Sequence, residues 1–452
     1  MPEGSGFPPP ESRLVCKPPS TDGGRGYERY HPAVFAEIVT IGDELTRGEI
    51  VDTNAAWLAG QLWDQDVTVR WMTSCRDDVA DLRRAIATAA GRVDLVVTSG
   101  GLGPTEDDLT CELIAEAAGV GLTIDEPARA RLAAFLSSRG RPVDEISLRQ
   151  ARVPAGARVL ANPAGLAPGF EIPVGGVPVV CLPGVPRELQ AIYATGLRAR
   201  IAELREARGK SPRIARRVYR AFGRGESQLS QALRGVIDGT LGATIHYQVK
   251  FPETLIKIVI RDVDAAAAAA TLATIDADVR ARIGRHIYGI GDDNLPLVVG
   301  RALLAAGVTV ATAESCTGGL LGALLTELPG SSGYFVGGAV TYANAEKIRQ
   351  LGVEPATLER DGAVSEACVR EMARGIRERT GATVGVAISG VAGPGGGTPA
   401  KPVGTVWLAL DRAGAPPTTF ALAWPGARDQ IRALSAWWGL ELLRQAVAEV
   451  AS

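Results

Sequence analysis

Histidine is scarce in this 452-residue chain: His31, His246 and His286 are the whole complement, and none lies beyond residue 286. The last third therefore has no Ser-His or Cys-His pair of its own. A nucleophile activated there must take its base from a carboxylate, a tyrosine or a lysine. The six cysteines (16, 75, 111, 181, 316 and 368) are scattered, with no CxxC or other metal-ligand spacing. That excludes a zinc ribbon and reads as free thiols in a reduced, cytoplasmic setting. Excess charge is also missing: 48 Lys and Arg face 50 Asp and Glu, net −2, so no basic field points to nucleic acid or an anionic membrane. No apolar run approaches the length of a membrane span, and no apolar signal core opens the sequence, so export is not expected. What remains is 46% hydrophobic and 22% charged, a globular composition with room for two to four domains.

Residues 1–33 hold prolines, glycines and charges with little apolar clustering and read as a disordered tail. From residue 34 the pattern alternates. Strands are expected at 34–41, 67–72 and 93–98, and helices at 54–64, 79–90 and 109–118. That alternation predicts a doubly wound α/β sheet over 34–207, and ligands of such sheets bind beyond the carboxyl ends of the strands. Two turns sit at such ends. One carries Gly42 and Glu44; the other carries Gly100, Gly101, Gly103, Thr105, Glu106, Asp107 and Asp108. Glycine-rich backbone can cradle a phosphate. The carboxylates of Glu44, Asp107 and Asp108 would repel phosphate unless a divalent ion lies between, which makes them candidate metal ligands. Asp107 and Asp108 equally fit an ordinary acidic helix start. Residues 141–190 are rich in Pro and Gly, with a hairpin expected at 169–181 and a helix from Arg187 toward Arg205. Residues 208–290 read as a small α+β module: strands at 213–222, 244–250 and 254–261, helices at 226–236 and 265–283.

The last region, 291–452, is organised around Ala313-Glu314-Ser315-Cys316-Thr317-Gly318-Gly319. A strand is expected at 308–311 and a helix at 320–328, which places Ser315 on a sharp strand-to-helix turn. Such a turn suits a nucleophile, and the N–H groups around Thr317, Gly318 and Gly319 suit an oxyanion. A plain helix start with Thr317 as N-cap fits the same residues. Tyr342 and Lys347 follow in Thr341-Tyr342-Ala343-Asn344-Ala345-Glu346-Lys347, and a lysine becomes a base when burial lowers its pKa. Further elements are expected at 295–306, 345–351, 365–380 and 427–447 (helices, with Ser365 an N-cap) and at 338–342, 383–389, 403–410 and 418–423 (strands). Arg428 and Arg432 share a face of the last helix and could take a phosphate; two solvated arginines fit as well.

Several motifs together are more specific than any one of them. Residues 38–49, Gly100-Gly101-Leu102-Gly103-Pro104-Thr105-Glu106-Asp107-Asp108-Leu109-Thr110, and the segments 162–169 and 182–186 resemble the N-terminal half of the CinA-like family (competence/damage-inducible protein A). Residues 313–319, 340–347, 389–393 and 401–407 resemble its C-terminal half, in matching order over about residues 34–448. The resemblance implies three parts. The first is a molybdopterin-binding-like α/β domain that hydrolyses ADP-ribose-type pyrophosphates with a divalent metal (Mg, Mn or Co). The second is a KH-like module of structural role. The third is a nicotinamide mononucleotide (NMN) deamidase that needs no cofactor and uses a Ser/Lys pair, here Ser315 and Lys347. In its motifs Asn344, Ser389 and Gly390 are expected at the substrate and Tyr342 beside the lysine; Arg428 joins them by its position and charge alone. The expected assembly is a homodimer acting on small nucleotides, with neither nucleic acid nor membrane as partner. Ala161 and Leu166 depart from the family pattern, which expects Pro and Thr there. Two further readings stand beside this one. The first domain could be a nucleotide- or pterin-binding module without turnover. The chain could also act in DNA uptake or repair, which its charge balance does not favour.

Overall fold

The computed structural model describes residues 34–207, 213–262 and 264–451. The tail expected at 1–33 lies outside the described residues. The chain divides into two compact units, Met1–Ala215 with Arg261–Ala269, and Arg216–Ile260 with Ala270–Ser452.

The first unit is built on a six-stranded sheet. Its order is Thr68–Cys75, Phe35–Ile41, Leu95–Ser99, Val177–Leu182, Gly169–Val174, Arg158–Leu160. The first four strands run parallel and the last two are antiparallel. Leu95–Ser99 is buried at every position, as a central parallel strand covered on both faces must be. One face packs Leu82, Ile86 and Ala89 of helix Val79–Arg92 with Ile114 of Thr110–Ala117. The other packs Leu58 and Leu62 of helix Thr53–Trp63 with Leu189, Ile192, Leu197 and Ile201. The doubly wound expectation is met, with an antiparallel hairpin closing one edge. Sequence reading passed over helix Glu126–Ser137 and the small sheet Leu122–Ile124/Arg152–Pro154.

The second unit holds a five-stranded sheet and most of a four-stranded one. The four-stranded one has the order Ala243–Lys250, Glu253–Asp262, Arg213–Ala221, Ile287–Ile290, accompanied by helices Glu226–Ala232 and Ala265–Ile283. The five-stranded one has the order Phe335–Val340, Val310–Glu314, Val384–Gly390, Thr405–Arg412, Thr418–Ala423. Its first three strands are parallel and its last two antiparallel. Helices Leu295–Ala306, Leu320–Leu325 and Arg428–Ala451 cover one face through Val299, Leu303, Leu321, Ile431 and Leu440. Helix Glu366–Thr380 lies on the other, where Ala311, Ala313, Ala387 and Ala409 present small side chains to it. Ser365 caps this helix as expected, its side chain accepting from Cys368 N. No helix among the described residues is long and apolar enough to cross a membrane.

Candidate active site

Val310–Glu314 is the second strand of the five-stranded sheet, and every residue of it is buried. It extends three residues past the expected end, so Ser315 leaves the sheet directly. Ser315 N donates to Ile388 O at 2.9 Å on the neighbouring strand, which fixes where the chain departs. Gly318 and Gly319 then take φ of +62° and +93°, a left-handed pair that other residues adopt only at a cost. Ser315 itself lies against helix Asn344–Leu351.

That helix supplies Lys347, which is 1% exposed. Its Nζ lies 3.2 Å from Ser315 Oγ and donates to Thr341 O at 2.8 Å and Tyr342 O at 3.2 Å. Among the described residues no carboxylate pairs with it. Burial holds its pKa below the ordinary 10.5, because charging an amine away from water is costly, while the nearby Cys368 and Cys316 thiols pull weakly the other way. Ser315 is 8% exposed, so nucleophile and base are both largely sheltered from solvent. Cys316 differs: burial first, and the Glu314 charge after it, push its thiol up to about 11, so the thiolate is suppressed at neutral pH. Thr317 Oγ1 and Thr341 Oγ1 are buried without a hydrogen-bond partner in the described structure. On the last helix, Arg428 donates to Gly393 O at 2.6 Å and to the Tyr342 hydroxyl at 3.0 Å. Arg432 donates to Thr317 O at 2.8 Å. Both arginines act electrostatically on Cys316, so two cations flank the Ser315 turn.

Three expectations are corrected. Thr317 is not the N-cap; Gly319 holds that position without a side-chain cap. The capping oxygens come from Glu314, which accepts from Gly319 N, Leu321 N and Gly322 N. Gly319 N–H is therefore not an oxyanion donor, and Gly318 N–H is taken by Ser315 O at 3.1 Å. The N–H groups of Cys316 and Thr317, which enter none of these bonds, are the better candidates. Tyr342 holds Lys347 by its carbonyl and not by its phenol, which is 59% exposed and faces Arg428. Asn344 is exposed at the start of the Lys347 helix. Ser389 sits one residue past Ile388, at the level of Ser315, but its hydroxyl donates to Ala363 O at 2.7 Å. A Cβ on Gly390 would lie 2.5 Å from Val406 Cγ2, so that glycine serves strand packing.

The first unit carries a concavity of about 610 Å³ at the carboxyl ends of its parallel strands. Gly42, Glu44, Gly100, Gly101, Gly103, Asp107 and Asp108 line it, with Leu166 and Glu188 across. Gly100 is required here: a Cβ on it would meet Ile41 O at 2.3 Å. Thr105 serves the loop from within, donating its N–H to Asp108 at 2.9 Å, and Arg149 ties down the carbonyls of Thr105 and Asp108. Asp108 is thus occupied as a turn acceptor. Among the described residues no three His, Cys, Asp or Glu side chains form a group that could hold a metal, so Glu44, Asp107 and Asp108 do not make one. Sequence reading missed Asp77. It lines the cleft and accepts from Asp43 N at 2.9 Å. Burial raises its carboxyl, and the charges of Glu44, Asp43 and Asp107 add to that.

Comparison with known proteins covers nearly the whole chain. Residues 37–203 match the family described as probable molybdopterin binding domain, 216–289 the damage-inducible protein CinA KH domain, and 292–447 the CinA C-terminal domain. A putative competence-damage inducible protein of Symbiobacterium thermophilum is 43% identical over 91% of this chain and 98% of its own length. A CinA-like protein of Anaeromyxobacter dehalogenans is 44% identical over 91% and 99%. The crystal structure of competence/damage inducible protein CihA from Agrobacterium tumefaciens is 38% identical, covering 34% of this chain and 97% of its own, with a TM-score of 0.33.

Proposed function

The chain belongs to the CinA-like family, and from that membership and the Ser315–Lys347 pair we propose that its C-terminal region hydrolyses the carboxamide of NMN to nicotinic acid mononucleotide and ammonia. The observation that carries this reading is a buried lysine with no carboxylate partner among the described residues, its Nζ 3.2 Å from a serine hydroxyl. Ser315 Oγ attacks the carboxamide carbon while its proton passes to neutral Lys347 Nζ. The N–H groups of Cys316 and Thr317 receive the oxyanion. Lys347 returns the proton to the departing nitrogen, which leaves as ammonia, and Ser315 holds the acyl group as an ester. Lys347 then takes a proton from water, water attacks the ester, and Ser315 leaves with that proton. The summed reaction consumes one water and releases one ammonia. Arg428 and Arg432 supply positive charge for the substrate phosphate. The test is the product formed from NMN by the purified chain. Nicotinic acid mononucleotide with equimolar ammonia is expected; free nicotinamide, or unchanged NMN, would overturn the reading.

The cleft of the first unit supports a second activity on a nucleotide pyrophosphate of the ADP-ribose type. Its left-handed Gly100–Gly101 loop beside acidic side chains favours it. A divalent ion (Mg, Mn or Co) fits only if the ligand's phosphates complete the donors offered by Glu44 and Asp107, as is usual for magnesium. When bound, it would neutralise the phosphate charge. Tight ADP-ribose binding with no turnover under any of the three metals would favour a regulatory binding module instead.

A further inference from the structure

The mechanism leaves the buried carboxyl beside its nucleophile unused. Glu314 is 1% exposed and immediately precedes Ser315. Its carboxylate folds back over the turn that follows. Oε2 accepts from Gly319 N at 3.0 Å and Leu321 N at 3.1 Å, and Oε1 accepts from Gly322 N at 2.8 Å. A cap of this kind ordinarily comes from the residue that opens the helix; here it comes from the last residue of the strand. The span it closes contains Ser315, Cys316, Thr317 and Gly318. The main chain of the same residue reaches the other half of the pair. Glu314 O accepts from Thr341 N at 2.8 Å, and Thr341 O accepts from Lys347 Nζ at 2.8 Å.

We propose that Glu314 is the positioning residue of the Ser315–Lys347 pair. Its carboxylate clamps the nucleophile's turn, and its carbonyl anchors the segment that holds the base. This rests on the deamidase reading for its catalytic consequence but not for its structural one. The clamp also has an electrostatic side. A carboxylate at the helix start cancels positive potential that would otherwise help ionise Cys316. Serine and cysteine stand side by side on the turn, and Glu314 favours the serine as nucleophile. Glutamine is the informative replacement. It keeps length and shape, but its NH₂ group must face a backbone N–H on one side of the clamp, so at least one bond is lost.

Two readouts are taken on the full chain, for wild type, Glu314→Gln and a control, Asp411→Asn, which weakens the buried Arg377–Asp411 ion pair away from the turn. The first is kcat and KM for NMN. Glu314→Gln is expected to lower kcat by about 10-fold or more with KM within about twofold, the pattern of a group acting on the transition state alone; Asp411→Asn should leave kcat near wild type. The second needs no substrate: the rate at which iodoacetamide alkylates Cys316 at pH 8, followed by peptide mass spectrometry. Glu314→Gln should speed it, and Asp411→Asn should not. Should the glutamine variant fail to fold, both readouts pass to Glu314→Asp, whose shorter side chain cannot span from Gly319 to Gly322. If wild type leaves NMN untouched, the deamidase reading fails, and Cys316 alkylation alone judges the clamp. Unchanged alkylation, or an unchanged kcat in an active enzyme, overturns the proposal.

Discussion

Lys347 shows how one side chain changes character with its surroundings. On an exposed helix it would be a solvated cation. Here its Nζ meets Ser315 Oγ and two carbonyls, none of them charged. Its depressed pKa sets the sign of the pH dependence. The base works when neutral, so kcat/KM for NMN should rise with pH through a midpoint below the ordinary lysine value of 10.5. The same shift has a stability sign. Between its folded pKa and 10.5 the unfolded chain holds a proton that the folded chain lacks, so Lys347's contribution to stability rises with pH across that window and is least favourable below it. Lys347→Met should therefore cost about 10²–10⁴-fold in kcat while Tm at pH 7 stays level or rises. A variant that keeps its activity, or a large drop in Tm, would show that the lysine is structural. The lack of histidine in the region left a carboxylate, a tyrosine or a lysine as the base, and the family resemblance pointed to Lys347 among them. The sequence did not show that Tyr342 would contribute a carbonyl and not a phenol, because that depends on which way a loop residue faces.

At the scale of elements, helix Glu366–Thr380 is the platform on which the Lys347 helix rests. The closest approach is at Gly375, where a Cβ would lie 1.9 Å from Leu351 O, the last residue of helix Asn344–Leu351. Gly375→Ala must push that helix away and Lys347 with it. A loss of about 1–3 kcal/mol in stability is expected, as for other overpacked sites, together with a fall in kcat larger than that of Ser365→Ala, which removes only the cap of the same platform. Equal kcat in the two variants would mean that the helix contact does not govern the pair. Most helices were legible from apolar spacing, and Leu295–Ala306 and Ala265–Ile283 fall where expected. Strand ends were less so. The strand before Ser315 was expected to stop at 311, where the apolar run ends, yet Thr312 and Glu314 are buried strand residues. Strand Thr68–Cys75 likewise runs past the expected end at 72, since Thr73 and Ser74 interrupt the apolar pattern. That shortfall hid Asp77, which stands just beyond the true carboxyl end. Glu314 as a cap was invisible for a related reason: capping patterns look to the first residues of a helix, and here the acceptor lies five residues before Gly319.

For the whole molecule, the two candidate sites lie in separate compact units and use different chemistry, one a Ser/Lys pair and the other a glycine loop beside carboxylates. They should fail independently. Gly101→Ala, whose Cβ would lie 2.1 Å from Thr110 Oγ1, should abolish ADP-ribose binding and leave NMN deamidation within about twofold of wild type. Loss of both together would mean that the sites are coupled. Glycine-rich loops at strand ends are legible in a sequence because backbone form demands glycine. A ligand set is not, because it depends on which carboxylate oxygens remain free; Asp108 Oδ2 is taken by Thr105.

The most direct measurement is ammonia release from NMN by wild type, Ser315→Ala and Cys316→Ala, side by side. The account predicts activity in wild type and Cys316→Ala and a loss of at least about 10⁴-fold in Ser315→Ala. An active Ser315→Ala beside a dead Cys316→Ala would contradict it and pass the nucleophile's role to the thiol.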